Sequence, residues 1–142
     1  MLAAAAVGLW AGRIAAQTVV DGDTIKVNGT KYRIWGIDAA ETKQVCPDGW
    51  MAGKEASAAM LGLITGHAVT CEAKAKDRYG RTVALCRADG GDLGAAMVSA
   101  GMAYGSTRYS SDYVEQEKAA IGTRAGGACA RLRKALGLAG PE

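Results

Sequence analysis

Asp21, Asp23, Arg33, Asp38 and Glu41 fall in two stretches, 19–27 (VVDGDTIKV) and 32–42 (YRIWGIDAAET), that otherwise read as β-strands. Carboxylates can ligate a hard cation or move a proton, and a guanidinium can grip two phosphate oxygens at once. If 19–27 is one strand, alternation puts Val19, Asp21, Asp23, Ile25 and Val27 on a shared face. Two carboxylates on that apolar row would raise each other's pKa unless a cation, a donor network or open water compensates. The competing reading is a plain surface turn, because Asp-Gly is a strong turn dipeptide.

The elements that must position these groups follow from periodicity. Strand signals cover 17–27 and 30–37 around the turn Asn28-Gly29, which makes a hairpin. Strict alternation from Arg33 puts Asp38 on the opposite face, so a bulge must intervene, and Gly36 is the natural place for it. A loop over 39–50 leads to a helix over 51–65 with Ala52, Ala56, Met60 and Leu63 as its apolar stripe and Gly66 as its stop. Runs 67–75 and 82–87 flank a polar segment and form a second hairpin. Asp92 caps a short helix over 93–100, and Asp112 with Glu115 opens a third helix reaching about residue 125. Strands, helix, strands, helices is the order of a small closed or nearly closed sheet with helices packed on it.

The chain has 142 residues, is 49% hydrophobic and carries a net charge of +3. That bounds it to one core, and the modest charge permits a polyanionic ligand without demanding one. Residues 1–12 are apolar and too short to span a membrane, so 1–16 is expected to be an export signal or anchor, possessing no basic leading segment. An Ala-rich terminal helix is the alternative. Cys46, Cys71, Cys86 and Cys129 contain no Cys-x-x-Cys pair, and His67 is the sole histidine, which argues against structural zinc. Two disulfides, Cys71 with Cys86 and Cys46 with Cys129, are favoured among three connectivities, four buried thiols being the alternative. Export to the periplasm or the medium is the matching expectation.

Three blocks, 20–25 (VDGDTI), 32–42 (YRIWGIDAAET) and 77–81 (DRYGR), resemble the staphylococcal nuclease, or thermonuclease-like, family in order and spacing. Segments 53–57 (GKEAS) and 100–103 (AGMA) extend the likeness across 17–128, leaving 129–142 as a basic tail. The resemblance implies an α+β fold, a five-stranded OB-fold barrel with three packed helices, that hydrolyses DNA and RNA with Ca2+. It implies that Asp23, Asp38 and the backbone carbonyl of Ala39 hold the metal, with Asp21 in support. Arg33 and Arg81 become phosphate clamps and Glu41 the general base, while Arg78 and Tyr79 match positions that touch a nucleotide phosphate. Ala39 stands where the family often has Thr, and Ala40 replaces its usual Pro, which loosens the backbone presenting Glu41.

The chemistry is consistent without the family. A phosphodiester repels a nucleophile and gathers negative charge on its oxygens, so a hard cation and two guanidinium forks lower both barriers. Taken singly, Glu41 could be a solvated loop carboxylate, Arg33 an edge-strand charge and Arg81 a turn residue. Tyr104, Tyr109 and Tyr113 could stack on bases or pack between helices and sheet, and Trp35 and Trp50 read as core or lid packing. The expected substrate is single-stranded DNA or RNA, and the expected state a monomer with no obligate protein partner. The rival is an OB-fold binding module that has lost turnover.

Overall fold

The computed structural model describes residues 16–46, 49–105 and 113. β1 (Gln17–Asp21) and β2 (Thr24–Val27) pair antiparallel through the two-residue turn Gly22-Asp23. The 17–27 stretch is thus two strands rather than one, and the Asp-Gly turn chemistry overrides the alternating pattern. β3 (Thr30–Ile34) follows at Asn28-Gly29, where φ is +50° and +80°, the left-handed pair that a tight hairpin turn requires.

β3 stops at Ile34. Gly36 takes φ +74°, and the chain restarts as β4 (Ile37–Asp38). The break expected at Gly36 is there, because a left-handed residue turns the strand at little cost only when it is glycine.

α1 (Ala52–Ile64) buries Ala52, Gly53, Ala56, Met60 and Ile64 and ends before Gly66 at φ +76°. β5 (Val69–Lys76) and β6 (Thr82–Ala88) form the second hairpin, followed by β7 (Gly91–Asp92), α2 (Leu93–Ser99) and β8 (Tyr104–Gly105). The Asp92 carboxylate caps α2 by accepting from Ala95 N–H at 3.1 Å.

The main path runs β1-β2-β3-β6-β5, with β7 on β6, while β4 and β8 make a separate two-stranded ladder. β3 and β6 are parallel; the other pairs are antiparallel. This is an α+β fold. Among the described residues no ladder joins β1 to β5, so the five-strand path is not closed. Across that gap Gln17 Nε2 donates to the carbonyls of Ile64 and His67, tying β1 to the α1–β5 turn. The third helix expected from Asp112 lies outside the described residues.

One core joins the sheet to both helices through Ile25, Ile34, Met60, Ile64, Ala84, Leu93 and Met97. Shaving Ile25 or Met60 to Ala there costs about 2–5 kcal/mol. A smaller core of Ala40, Cys46, Ala52 and Tyr104, with Trp50 against it, anchors the loop after β4. Among the described residues no helix is long and apolar enough to cross a membrane.

Candidate active site

Three turns bring the charges together. Asp23 sits in the β1–β2 turn, Arg33 near the end of β3, and Asp38 in β4 just beyond Gly36. The Arg33 side chain, 12% exposed, lies 3.5 Å from Asp23 Oδ2 and pairs through Nη2 with Asp38. Its Nη1 also donates to the Ile37 carbonyl at 2.7 Å. One guanidinium therefore draws two carboxylates and a strand end into one cluster.

Asp23 is the most constrained member. Its Oδ1 accepts from the Thr24 hydroxyl at 3.0 Å and its Oδ2 from Ala39 N–H at 2.9 Å. Burial pushes its carboxyl above the usual range, and the Arg33 guanidinium and these hydrogen bonds oppose that shift without cancelling it. Asp38, a nearby like charge, adds to the upward push.

Asp21 stands beside this cluster. Its Oδ1 accepts from the Thr42 hydroxyl at 2.6 Å and Thr42 N–H at 3.0 Å, which staples the loop to the end of β1. Glu41, next to Thr42, is exposed, and among the described residues its carboxylate has no hydrogen-bond or ion-pair partner. Ala39 and Ala40 are 7% and 0% exposed, so packing and the Asp23 bond hold the backbone that the missing Pro was expected to loosen.

Two glycines complete the mount. A Cβ on Gly53 would stand 1.7 Å from the Glu41 carbonyl oxygen, and one on Gly22 would stand 2.7 Å from Ala56 Cβ. The first turn of α1 thus presses directly on the Glu41 loop, and Gly53 N–H also bonds the Gln44 carbonyl at 3.0 Å. The roles of Thr42, Gly22 and Gly53 were not read from sequence. The available signal was a glycine in the first turn of a helix, a poor helix former retained where space is short.

Arg81 is placed differently. It stands just before β6, 39% exposed, with Nε donating to Asp77 Oδ2 at 2.6 Å. Its guanidinium and that of Arg78 lie 5.6 Å and 5.0 Å from the ring centre of Tyr79, which is 70% exposed. β3–β6 pairing sets Arg33 opposite Val83, so Arg81 falls two residues earlier on the same face, about 7 Å along the strand. Tyr113 is buried, its hydroxyl on the Asp92 carboxylate at 3.0 Å and its ring against Gly94, which is the packing alternative rather than a base platform. Tyr109 lies outside the described residues.

Cys71 and Cys86 face each other in register across β5–β6 and form a disulfide. Cys46 is buried in the smaller core, and its expected partner Cys129 lies outside the described residues.

The family model described as staphylococcal nuclease homologue matches residues 31–126. The chain belongs to the staphylococcal nuclease family. Arg33, Asp38, Glu41, Arg78, Tyr79 and Arg81 lie inside the matched span, and Asp21 and Asp23 stand ahead of it. The chain is also 38% identical over 96 residues to the succinoglycan biosynthesis protein ExoI of Rhizobium meliloti (strain 1021). That likeness covers 63% of this chain and 50% of the relative, so the chain spans about half the length of the curated relative it matches. The staphylococcal nuclease fold is the OB-fold, and family membership makes this protein a nuclease-like or nucleic-acid-binding module.

The family's metal can be tested against these donors. Asp21, Asp23, Asp38 and the Ala39 carbonyl are all oxygen ligands, the type a hard divalent cation prefers. Among the described residues, no group of three or more His, Cys, Asp or Glu side chains converges on one point. Asp38 is turned to Arg33 and Asp21 to Thr42. The donor chemistry fits, and the buried Asp23 carboxylate is the group whose charge a cation would offset most.

Proposed function

We propose that this protein hydrolyses DNA and RNA phosphodiesters with little sequence preference, favouring single strands, in a calcium-dependent reaction. The observation that supports this is the buried Arg33 clustered with Asp23 and Asp38, beside an exposed Glu41 whose backbone is clamped by α1. Asp23, Asp38 and the Ala39 carbonyl, with Asp21 in support, would hold the cation. When bound, it neutralises charge on the phosphoryl oxygens.

The remaining steps belong to side chains. Arg33 binds one edge of the scissile phosphate, and Arg81 approaches from the turn before the neighbouring strand. Glu41, exposed at the edge of the cluster, takes a proton from the attacking water. Arg78 and Tyr79 hold the flanking nucleotide.

The deciding assay incubates the purified protein with denatured DNA, in calcium and in chelator. Cleavage with calcium and none with chelator is expected; equal or absent cleavage in both sinks the proposal.

A second reading has its own observation: both terminal nitrogens of Arg33 are engaged, by Asp23, Asp38 and the Ile37 carbonyl, which suits a binding module without turnover. It expects oligonucleotide binding with any residual cleavage indifferent to Glu41→Gln. A hundredfold loss in that variant excludes it. We also propose export to an oxidising compartment, supported by the Cys71–Cys86 bridge. Mass spectrometry of alkylated, unreduced protein from its native host should find this pair blocked to alkylation; two free thiols there would overturn the idea.

A further inference from the structure

The sheet carries cations that the site above does not use. Lys26 on β2 and Lys31 on β3 are direct cross-strand partners, and both are exposed. Like charges placed opposite each other oppose strand pairing, so the arrangement is not explained by stability. Among the described residues neither lysine has an acidic partner. Several other cations of the sheet are paired: Lys74 and Arg87 share Glu72, Arg81 holds Asp77, and Arg33 is clustered with Asp23 and Asp38.

Register puts these lysines in line with the site. Thr18 pairs with Lys26, Lys26 with Lys31, and one step before the Tyr32–Thr82 pair Lys31 falls beside Arg81. Paired residues share a face, so Lys26 and Lys31 stand together across β2 and β3, and the β3–β6 register continued one residue ahead of its first pair brings Arg81, just before β6, level with them as a basic row. Arg33 lies on that same face two residues beyond Lys31. At the Arg81 end the row reaches Tyr79, an exposed ring flanked by two guanidiniums.

We infer that Lys26 and Lys31 form an accessory subsite for the backbone of a polynucleotide, seating phosphates beyond the one at Arg33. The inference rests on the nuclease reading and deepens it. The substrate it fits is a strand of several nucleotides, whose backbone continues past the phosphate at Arg33 along the row. A compact ammonium suits this task, contributing charge without the geometric demand of a fork.

The test is fluorescence anisotropy with a labelled oligothymidylate of twelve nucleotides, using Glu41→Gln protein in calcium so that the strand stays intact. In that background Lys26→Gln/Lys31→Gln should weaken binding roughly tenfold at low salt and lower the salt slope by about 1.4, two phosphate contacts at about 0.7 each. Competition by a dithymidine phosphate should weaken much less. The thermal midpoint should be no lower than that of the parent, since a facing pair of like charges is gone, and Lys26→Arg/Lys31→Arg should keep the slope. An unchanged slope, or equal weakening for the dinucleotide, overturns the subsite alone. No binding of the parent to the twelve-mer at low salt overturns the nuclease reading and the subsite together.

Discussion

Arg33 and Arg81 are the same residue type with the same expected task, yet the molecule mounts them in opposite ways. Arg33 is largely buried and draws its partners from two separate elements, Asp23 in the β1–β2 turn and Ile37 and Asp38 in β4. Arg81 is half-exposed and is held within its own turn, by an Asp77 carboxylate that also accepts from the Tyr79 and Arg81 amides at 2.9 Å and 2.8 Å. The difference teaches that one arginine is part of the architecture and the other is presented by it. Losing the first should damage fold and chemistry together; losing the second should damage chemistry.

The largest effect expected is that of Arg33→Ala. It leaves Asp23 buried without its ion pair, so stability should fall by about 3 kcal/mol, and cleavage by about 10²–10³-fold. Arg81→Ala should lose cleavage on the same scale with a much smaller shift in the urea midpoint. Equal stability losses in the two variants would break the contrast.

Gly53→Ala comes next. Its methyl collides with the Glu41 carbonyl, and a displacement of the order of 1 Å in a reacting group costs about 10²-fold in rate. Gly80→Ala, in the Arg81 turn at φ +78° with nothing near its Cβ, should cost about 1 kcal/mol of strain and little activity. Parallel assays of kcat and urea stability separate the two.

Opening the Cys71–Cys86 bridge by a double Ser substitution should lower stability by about 3 kcal/mol, the value for a loop of about fifteen residues. The folded fraction should keep its activity, because the bridge lies in the presenting hairpin and not in the Arg33 cluster. A loss of specific activity at full folding would show that the hairpin positions more than Arg81.

The smallest effect is on acid stability. Burial alone would raise Asp77, but hydrogen bonds from the Arg81 amide and side chain and the Tyr79 amide outweigh it, and its pKa falls below 3.8. A depressed carboxylate contributes stability that is present above its unfolded value and lost as pH falls through the folded one. The contribution of Asp77 should therefore disappear below about pH 3.8, and Asp77→Asn should flatten that limb of the unfolding curve. Asp89, lowered by its hydrogen bonds to His67 and the Ala68 amide, behaves the same way.

Much of this is legible in the sequence. The Asn28-Gly29 hairpin, the break at Gly36, the cap at Asp92, the α1 stripe except that Ile64 is buried where Leu63 was expected, and the Cys71–Cys86 bridge each depend on residues close in sequence or on a simple register. The 17–27 stretch was misread as one strand because alternation and Asp-Gly turn preference conflict there, and the turn prevailed. Thr42, Gly22 and Gly53 carry no catalytic chemistry, so residue type alone did not reveal them.

The sequence by itself determined the chemical inventory: which carboxylates and guanidiniums exist, where the chain must turn, and which family motifs hold them. Only the tertiary structure decided how they are shared. It gave Arg33 to Asp23 and Asp38, gave Asp21 to Thr42, left Glu41 open and clamped its backbone with Gly53, and aligned Lys26 with Lys31 and Arg81. The reason is that strand register and helix contact set separations across the fold, and those depend on how distant segments pack.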